Sequence, residues 1–247
     1  MNEYPHDSVV PFRASSEGKK EQVQEMFDKI AFRYDFLNHF LSVGNDTSWR
    51  RKALKLLKSD NPRQILDVAT GTGDFAVLAA EMLKPEKIIA IDISEGMLEI
   101  GREKVRKAGL QSIIAMETGD SEAISFEDNS FDAVIVAFGI RNFENLDKGL
   151  NEIKRVLKQG GKLVAIEATK PSTPLIRDFY KLYMKCVATP LGRWLSKDKD
   201  AYQYLNNSVK YFPEKKAFIQ ILNQTGYRNA FYKTMTLGTC TIYCAEK

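Results

Sequence analysis

The chain has 247 residues, of which 44% are apolar and 28% are charged, and its formal net charge is +4. This length allows one domain with a continuous core, and the near-average composition excludes disordered, collagen-like and coiled-coil proteins. The three cysteines and two histidines have neither the number of a disulfide framework nor the spacing of metal ligands, so we expect no metal. No apolar run reaches the roughly 18 residues of a membrane span, and no signal-peptide pattern opens the chain, which predicts a cytoplasmic protein.

The predicted elements begin after a polar N-terminal stretch. Residues 1–17 lack apolar periodicity and are predicted to form a flexible tail. Apolar side chains recur at helical spacing over residues 20–41, and a second helix is predicted over residues 47–57. Residues 18–58 are therefore predicted to form an N-terminal helical lid on the domain that follows.

Strands and helices alternate in the next part of the chain. Strands are predicted over residues 64–69, 87–93, 112–118, 131–138 and 162–167. A helix is predicted in the intervals that follow the first, second and fourth strands, and the last of these helices is predicted to end at the pair Gly160-Gly161. This alternation is typical of a doubly wound α/β fold with a mostly parallel sheet.

The C-terminal part departs from the alternation. Residues 171–212 are predicted to be a helical insertion after the fifth strand, and a further helix is predicted between Pro213 and Gly226. Two β-rich stretches, 227–236 and 239–245, then form a predicted hairpin that adds antiparallel strands at the sheet edge. The sheet would thus have seven strands, and residues 18–247 would form a single domain.

A glycine turn follows the first predicted strand. Gly71 and Gly73 stand between this strand and the start of the next helix, where a sharp turn must let a ligand approach the backbone. Asp92 lies 21 residues beyond Gly71, at the end of the second strand, where a carboxylate can accept hydrogen bonds from ribose hydroxyls. The combination predicts a nucleotide-like ligand.

Charge discriminates between the two ligands that suit such a turn. A dinucleotide such as NAD would place its pyrophosphate over the helix N-terminus, which Asp67 and Asp74 flank in the sequence. S-adenosylmethionine has no phosphate and carries two cationic groups, which these acids favour. Asp120, after the third strand, suits a contact with its adenine amino group. We therefore favour S-adenosylmethionine over the dinucleotide.

Several segments resemble the ubiquinone/menaquinone biosynthesis C-methyltransferase family. The resemblance covers nearly the whole chain beyond the tail. It is carried by FDKIAFRYDFLN at residues 27–38, FGIRN at 138–142, RVLKQGG at 155–161 and DKDAYQYL at 198–205.

This resemblance implies a class I methyltransferase with a Rossmann-like sheet, which transfers a methyl group from S-adenosylmethionine to a ring carbon of a prenylated quinol. The family's donor-binding positions correspond to Thr72, Asp92, Asp120 and Ser121 in this sequence. Overall likeness favours demethylmenaquinol, in respiratory quinone biosynthesis. A benzoquinol of ubiquinone biosynthesis, an RNA or another small molecule remain alternative acceptors.

Methylation of a ring carbon requires a deprotonated or polarised phenol next to the reacting position. Arg141 and Asn142 follow the fourth strand, at the sheet edge where such folds bind substrates. Our hypothesis is that Arg141 stabilises the phenolate and that Asn142 orients it or a water molecule. The alternative is an ion pair between Arg141 and Glu144 that shapes the loop.

Two aromatic residues are expected on the substrate side. Tyr34 belongs to the N-terminal lid, and Trp194 belongs to the insertion, whose alternating apolar and basic residues could cover a prenyl tail or rest on an anionic membrane. The expected partners are therefore a prenylated quinol and a membrane surface, with a homodimer possible and no nucleic acid.

Overall fold

The structure is a computed structural model that describes residues 4–171, 173 and 199–247. Seven strands form one sheet in the order β3-β2-β1-β4-β5-β7-β6. The strands are β1 (Gln64–Val68), β2 (Lys87–Asp92), β3 (Ile114–Thr118), β4 (Phe131–Ala137), β5 (Leu157–Ala168), β6 (Arg228–Met235) and β7 (Cys240–Glu246). The described α-helices are α1 (Lys19–Leu41), α2 (Asp46–Leu54), α3 (Asp74–Leu83), α4 (Glu95–Lys107), α5 (Leu146–Val156), α6 (Lys199–Tyr211) and α7 (Lys216–Gln224).

Strand pairing confirms the predicted doubly wound sheet. The first five strands pair in parallel, and β7 pairs antiparallel with both β5 and β6. Apolar side chains of both sheet faces are buried, one face against α2, α3 and α4 and the other against α5 and α7. The strand order reverses between β1 and β4, so the carboxyl ends of these two strands open a crevice at the centre of the sheet.

The N-terminal segment lies on the domain. Asp28 of α1 accepts hydrogen bonds from the Ser94 hydroxyl (2.6 Å) and the Gly96 N–H (2.9 Å), which fastens α1 to the start of α4. The flexible tail predicted for residues 1–17 is packed in its described part. The Tyr4 hydroxyl donates to Asp147 (2.7 Å), and the Lys19 ammonium donates to the buried His6 carbonyl (2.9 Å). These side-chain partners are distant in sequence, so the local pattern did not reveal them.

The sequence predicted that α5 ends at the pair Gly160-Gly161, and this prediction is wrong. The helix ends at Val156, β5 begins at Leu157, and both glycines lie inside the strand. The pairing register with β4 shifts between Phe131 and Ala133, where two residues of β4 face a longer stretch of β5. A Cβ atom on Gly161 would lie 2.8 Å from the Lys158 carbonyl oxygen, so this bulge requires glycine.

The C-terminal hairpin forms as predicted, but its second strand lies inside the sheet. β7 separates β5 from the edge strand β6, and its cysteines, Cys240 and Cys244, are buried core residues. Burial raises the pKa of both thiols, that of Cys244 to about 11. Among the described residues, no helix is long and apolar enough to span a membrane.

We predict that Gly161→Ala lowers the free energy of unfolding by about 1–3 kcal/mol, because the added methyl group meets two backbone carbonyl oxygens that cannot easily move. Urea denaturation monitored by circular dichroism measures this change. The control is Gln159→Ala at an exposed neighbouring position, expected to change stability by less than about 0.5 kcal/mol. Equal stability of the two variants would contradict the bulge geometry.

Candidate active site

A tight turn joins β1 to α3 at the central crevice. Ala69, Gly71 and Gly73 all have positive φ angles, of 52°, 57° and 78°. The Gly71 N–H donates to Asp92 at the end of β2 (2.7 Å), so the turn is tied to the neighbouring strand. The α1 side chain of Tyr34 lies above the turn, 3.7 Å from where a Gly71 Cβ atom would stand. Backbone, carboxylate and lid therefore converge at one point.

A cleft opens beside this turn. We call it the glycine-turn cleft. Its lining comes from the lid, from the ends of β1–β4 and from the loop after β4: Lys20, Val23, Phe27, Tyr34, Ala69, Gly71, Asp92, Ile93, Met97, Gly119, Asp120, Ser121, Glu122, Ala137, Phe138, Gly139, Asn142, Phe143 and Glu144. Most of the predicted donor-binding residues thus meet in one place.

The described lining of this cleft is strongly acidic. It contains four carboxylates, those of Asp92, Asp120, Glu122 and Glu144, and one cation, Lys20, which pairs with Asp120 (2.7 Å). Burial raises the pKa of Asp92 to about 6, against the opposing effect of the Ser94 and Gly71 N–H groups. A pyrophosphate would meet net negative charge here, whereas a cationic ligand would be favoured.

The acids on which the sequence argument rested lie elsewhere. Asp67 is fully buried beneath the turn, accepts a hydrogen bond from the Thr70 hydroxyl (2.7 Å) and is absent from the cleft lining. Burial raises its pKa to about 7. Asp74 points to the outer side of the turn and pairs with Lys104 (2.5 Å). The predicted ligand preference is retained, but its electrostatic basis is the other set of carboxylates.

Thr72 and Gly73 are also absent from the described lining. The Thr72 hydroxyl donates to Asp35 of the lid (2.5 Å) and accepts from Lys104 (2.9 Å). Lys104 also pairs with Asp35 (2.6 Å). This network joins α1, the glycine turn and α4. Thr72 therefore holds the lid on the turn, and Gly73 provides the left-handed backbone at the start of α3.

The residues present fit an adenosyl group. Asp92 and Asp120 stand at the ends of two adjacent strands, as acceptors for ribose hydroxyls and for an adenine amino group. Apolar side chains between them, including Ile93, Met97 and Phe143, offer surfaces for the adenine ring. The glycine turn leaves space for the rest of the ligand beside Ala69 and Gly71.

A second cavity lies on the other side of Phe138, which lines both spaces. We call it the apolar cavity. Its lining comes from the end of α1, the start of α2, α6 and the turns at β5 and β7: Asn38, Leu41, Ser42, Val43, Asn45, Asp46, Trp49, Phe138, Arg141, Ala168, Lys170, Leu205, Asn206, Val209, Lys210, Thr236 and Thr239. The two spaces together can bring two ligands into contact.

The loop after β4 divides Arg141 and Asn142 between these spaces. Arg141 lines the apolar cavity and forms a buried ion pair with Glu167 (2.8 Å), not with Glu144. The backbone N–H of Arg141 also donates to Glu167 (3.2 Å). Asn142 lines the glycine-turn cleft and accepts a hydrogen bond from the Tyr204 hydroxyl of α6 (3.1 Å).

Two guanidinium groups, each paired with a carboxylate, lie beside Phe138. The guanidinium groups of Arg50 and Arg141 lie 5.7 and 6.0 Å from its ring centre. Both cations act on Tyr34: burial raises the pKa of its phenol, and the two cations oppose that rise. Trp194, the other residue expected on the substrate side, lies outside the described residues.

Sequence reasoning missed four residues of this arrangement: Asp35, Lys104, Glu167 and Tyr204. Asp35 and Tyr204 stand in segments that carry the family resemblance, so their positions were visible although their partners were not. Glu167 ends a predicted strand, where a buried acid needs a cation. Lys104 is an ordinary amphipathic-helix lysine in sequence, and nothing in its local pattern indicates its three partners.

The fold and the glycine-turn cleft define a class I S-adenosylmethionine-dependent methyltransferase. A SAM-dependent methyltransferase from Thermotoga maritima has the same fold, with a TM-score of 0.63, 20% identity, and coverage of 90% of this chain and 99% of that one. So does phosphoethanolamine N-methyltransferase 2 from Haemonchus contortus in complex with S-adenosyl-L-methionine, with a TM-score of 0.61, 19% identity, and coverage of 89% and 57%.

Residues 15–247 match the model of the ubiE/COQ5 methyltransferase family, and the chain belongs to this family. It is 51% identical over 245 residues to the demethylmenaquinone methyltransferase of Bacteroides fragilis, covering 99% of both chains. It is 40% identical over 240 residues to the ubiquinone/menaquinone biosynthesis C-methyltransferase UbiE of Geobacter sulfurreducens, covering 97% of this chain and 93% of that one. The family resemblance inferred from the sequence motifs is confirmed.

We predict that Lys104→Met weakens S-adenosylmethionine binding about three- to tenfold. The substitution leaves Asp35 and Asp74 without their shared cation, so the two carboxylates repel and the lid loosens. Isothermal titration calorimetry measures the dissociation constant. Lys107→Met, an exposed lysine on the same helix, is the control and should bind as the wild type does. An unchanged affinity in Lys104→Met would show that this network does not contribute to S-adenosylmethionine binding.

We predict that donor affinity falls as the pH is lowered through about 6. We expect the Asp92 carboxylate to accept hydrogen bonds from the ribose hydroxyls of S-adenosylmethionine above this pH, and protonation below it removes acceptor capacity. Titration calorimetry between pH 5.5 and 7.5 tests this dependence. Asp92→Asn should bind weakly with a flat profile, whereas Asp67→Asn should retain the slope. The same slope in Asp92→Asn would assign the effect to another group.

Proposed function

We propose that this protein transfers the methyl group of S-adenosylmethionine to a ring carbon of demethylmenaquinol, a prenylated naphthoquinol. The observation that carries this proposal is the 51% identity, over 99% of both chains, to a relative named for that reaction. The Porphyromonas gingivalis demethylmenaquinone methyltransferase, 38% identical over 244 residues, supports the same acceptor. The Geobacter sulfurreducens relative is named for the biosynthesis of ubiquinone as well as menaquinone, so a benzoquinol is the second candidate acceptor.

The two adjoining spaces support a reaction between a polar donor and an apolar acceptor. The acidic glycine-turn cleft suits the donor, with Asp92 and Asp120 as its acceptors. The apolar cavity suits the quinol ring and the first part of its prenyl tail, since Leu41, Trp49 and Leu205 line it. Because Phe138 lines both spaces, the ring carbon and the methyl group would meet beside it.

S-adenosylmethionine, when bound, supplies an electrophilic methyl group. The chain's own part is to make the ring carbon nucleophilic, which requires a quinol hydroxyl to lose its proton. The guanidinium groups of Arg50 and Arg141, 5.7 and 6.0 Å from the Phe138 ring centre, favour an anion beside this ring. The same two cations would lower the pKa of a quinol hydroxyl held next to them.

Arg141 is well placed to contact that hydroxyl. Its Nε atom is buried and has no hydrogen-bond partner among the residues that the structure describes, while its Nη1 is held by Glu167 and the Phe138 carbonyl. Because Arg141 lines the apolar cavity, its guanidinium group borders the space proposed for the quinol. Tyr204 fixes the side chain of Asn142, which can then orient the hydroxyl or a water molecule.

The reaction is tested with radiolabelled S-adenosylmethionine and chemically reduced demethylmenaquinone in detergent. A benzoquinol analogue and bulk RNA serve as parallel acceptors. Label in the naphthoquinol is the expected result. Label in the benzoquinol alone would assign the other quinone, and label in RNA alone would overturn the proposed acceptor.

We predict that removing the Arg141 guanidinium lowers kcat about 100-fold and changes donor affinity less than about twofold. Arg141→Met is combined with Glu167→Gln, because the single substitution would leave a buried unpaired carboxylate and destabilise the fold. Steady-state kinetics and calorimetry measure the two quantities. The control is Arg102→Met, which removes an α4 arginine outside both spaces. Unchanged turnover in the double variant would exclude Arg141 from the chemistry.

A further inference from the structure

Two apolar side chains are displayed to solvent at the mouth of the apolar cavity. Val43, between α1 and α2, is 70% exposed and lines the cavity. Leu237, in the turn between β6 and β7, is 71% exposed, and its neighbours Thr236 and Thr239 line the same cavity. The two residues come from distant parts of the chain: Val43 lines the cavity, and Leu237 follows Thr236, which also lines it.

Both residues hold a backbone conformation that their side chains disfavour. The φ angles of Val43 and Leu237 are 52° and 57°, and that of the adjacent Thr236 is 43°. Glycine or asparagine adopts this left-handed region more readily than a β-branched or bulky residue. Apolar side chains that are both strained and exposed at a cavity mouth call for a partner that covers them.

The chain fixes these turns in place. The Trp49 indole N–H donates to the Thr236 hydroxyl (2.8 Å), which links the start of α2 to the β6–β7 turn. The Thr169 hydroxyl donates to the Gly238 carbonyl (2.9 Å), and the Gly44 N–H donates to the His39 carbonyl (2.8 Å). Val43 and Leu237 are thus presented on anchored turns.

Two lysines line the same cavity, and further basic residues follow Val43 in the chain. The two lysines are Lys170 and Lys210. The helix α2 begins three residues after Val43 and carries the exposed Arg51 and Lys52, and the exposed Lys55 follows its last residue. Within the described part of the chain, none of these three side chains has a carboxylate partner. Apolar side chains flanked by unpaired cations match the chemistry of an anionic lipid surface.

We infer that this rim, formed by Val43 and Leu237 with Lys170, Lys210 and the basic residues of α2, docks on the surface of an anionic bilayer. The inference rests on the proposed function, which requires an acceptor that resides in lipid. Docking would turn the mouth of the apolar cavity towards the acyl chains. A prenyl tail could then enter without exposing its hydrocarbon to water.

The test is co-sedimentation of the full chain with vesicles of phosphatidylcholine, with or without 30 mol% phosphatidylglycerol. Val43→Asn combined with Leu237→Asn should lower partition into the anionic vesicles about tenfold, because two inserted apolar groups are lost. Asparagine suits the left-handed backbone, so the melting temperature should stay equal or rise. The control is Phe231→Asn, which removes a 46% exposed apolar side chain of β6 outside the cavity lining and should partition as the wild type does.

A second pair of measurements tests the charge and the link to catalysis. Arg51→Gln with Lys52→Gln should weaken binding to anionic vesicles and reduce its dependence on salt. Leu237→Asn should slow methylation of a long-chain quinol embedded in vesicles, with the rate on a short-chain quinol in solution unchanged. The inference is overturned if the Val43→Asn/Leu237→Asn variant and the Arg51→Gln/Lys52→Gln variant both partition as the wild type does. It is also overturned if the wild type binds neutral and anionic vesicles equally. If the wild type binds vesicles but methylates no quinol, the proposed function fails instead.

Discussion

The arrangement of both spaces depends on the close contact between the loops that follow β1 and β4. A Cβ atom on Gly139 would lie 2.6 Å from the Cβ atom of Ala69, so the two loops can touch only because glycine stands there. Ala69 and Phe138 both have positive φ angles at this contact. The contact sets Phe138 between the acidic cleft and the apolar cavity. A wider separation would part the donor from the acceptor, and positioning of this kind can contribute several kcal/mol to a two-substrate reaction.

The electrostatics of the two spaces are opposite, and each suits its ligand. Carboxylates dominate the described lining of the glycine-turn cleft, where a cationic donor is expected. Two guanidinium groups flank Phe138 on the other side, where an anion must form. Arg141 remains charged there because buried Glu167 compensates it. The lid adds its own charge network, in which Lys104 joins Asp35 to the glycine turn. The two spaces and the contact between α1 and the glycine turn therefore use separate sets of ion pairs.

The sequence predicted what depends on local pattern. The strands of the parallel sheet, the glycine turn and Asp92 at the end of β2 all follow from periodicity and spacing, and the structure brings them together. Contacts between residues that are distant in sequence could not be predicted from local pattern. Asp67 is next to the turn in sequence, yet the strand alternation buries its side chain beneath it. The partner of Arg141 is 26 residues away on β5, whereas the sequence suggested an acid three residues away. The bulge that contains Gly160 and Gly161 depends on the pairing register between β4 and β5. The sequence pattern of one strand does not give this register.

The burial of Cys240 and Cys244 has a consequence for the chemistry proposed here. Oxidised quinones are electrophiles that add thiolates, and the thiolate rather than the thiol is the reactive form. Both side chains are inaccessible in β7, and their raised pKa values keep them protonated at neutral pH. A quinol that oxidises in the apolar cavity would therefore find no nucleophilic sulfur on this strand. These two positions of the sheet are thus protected from covalent arylation by the enzyme's own class of ligand.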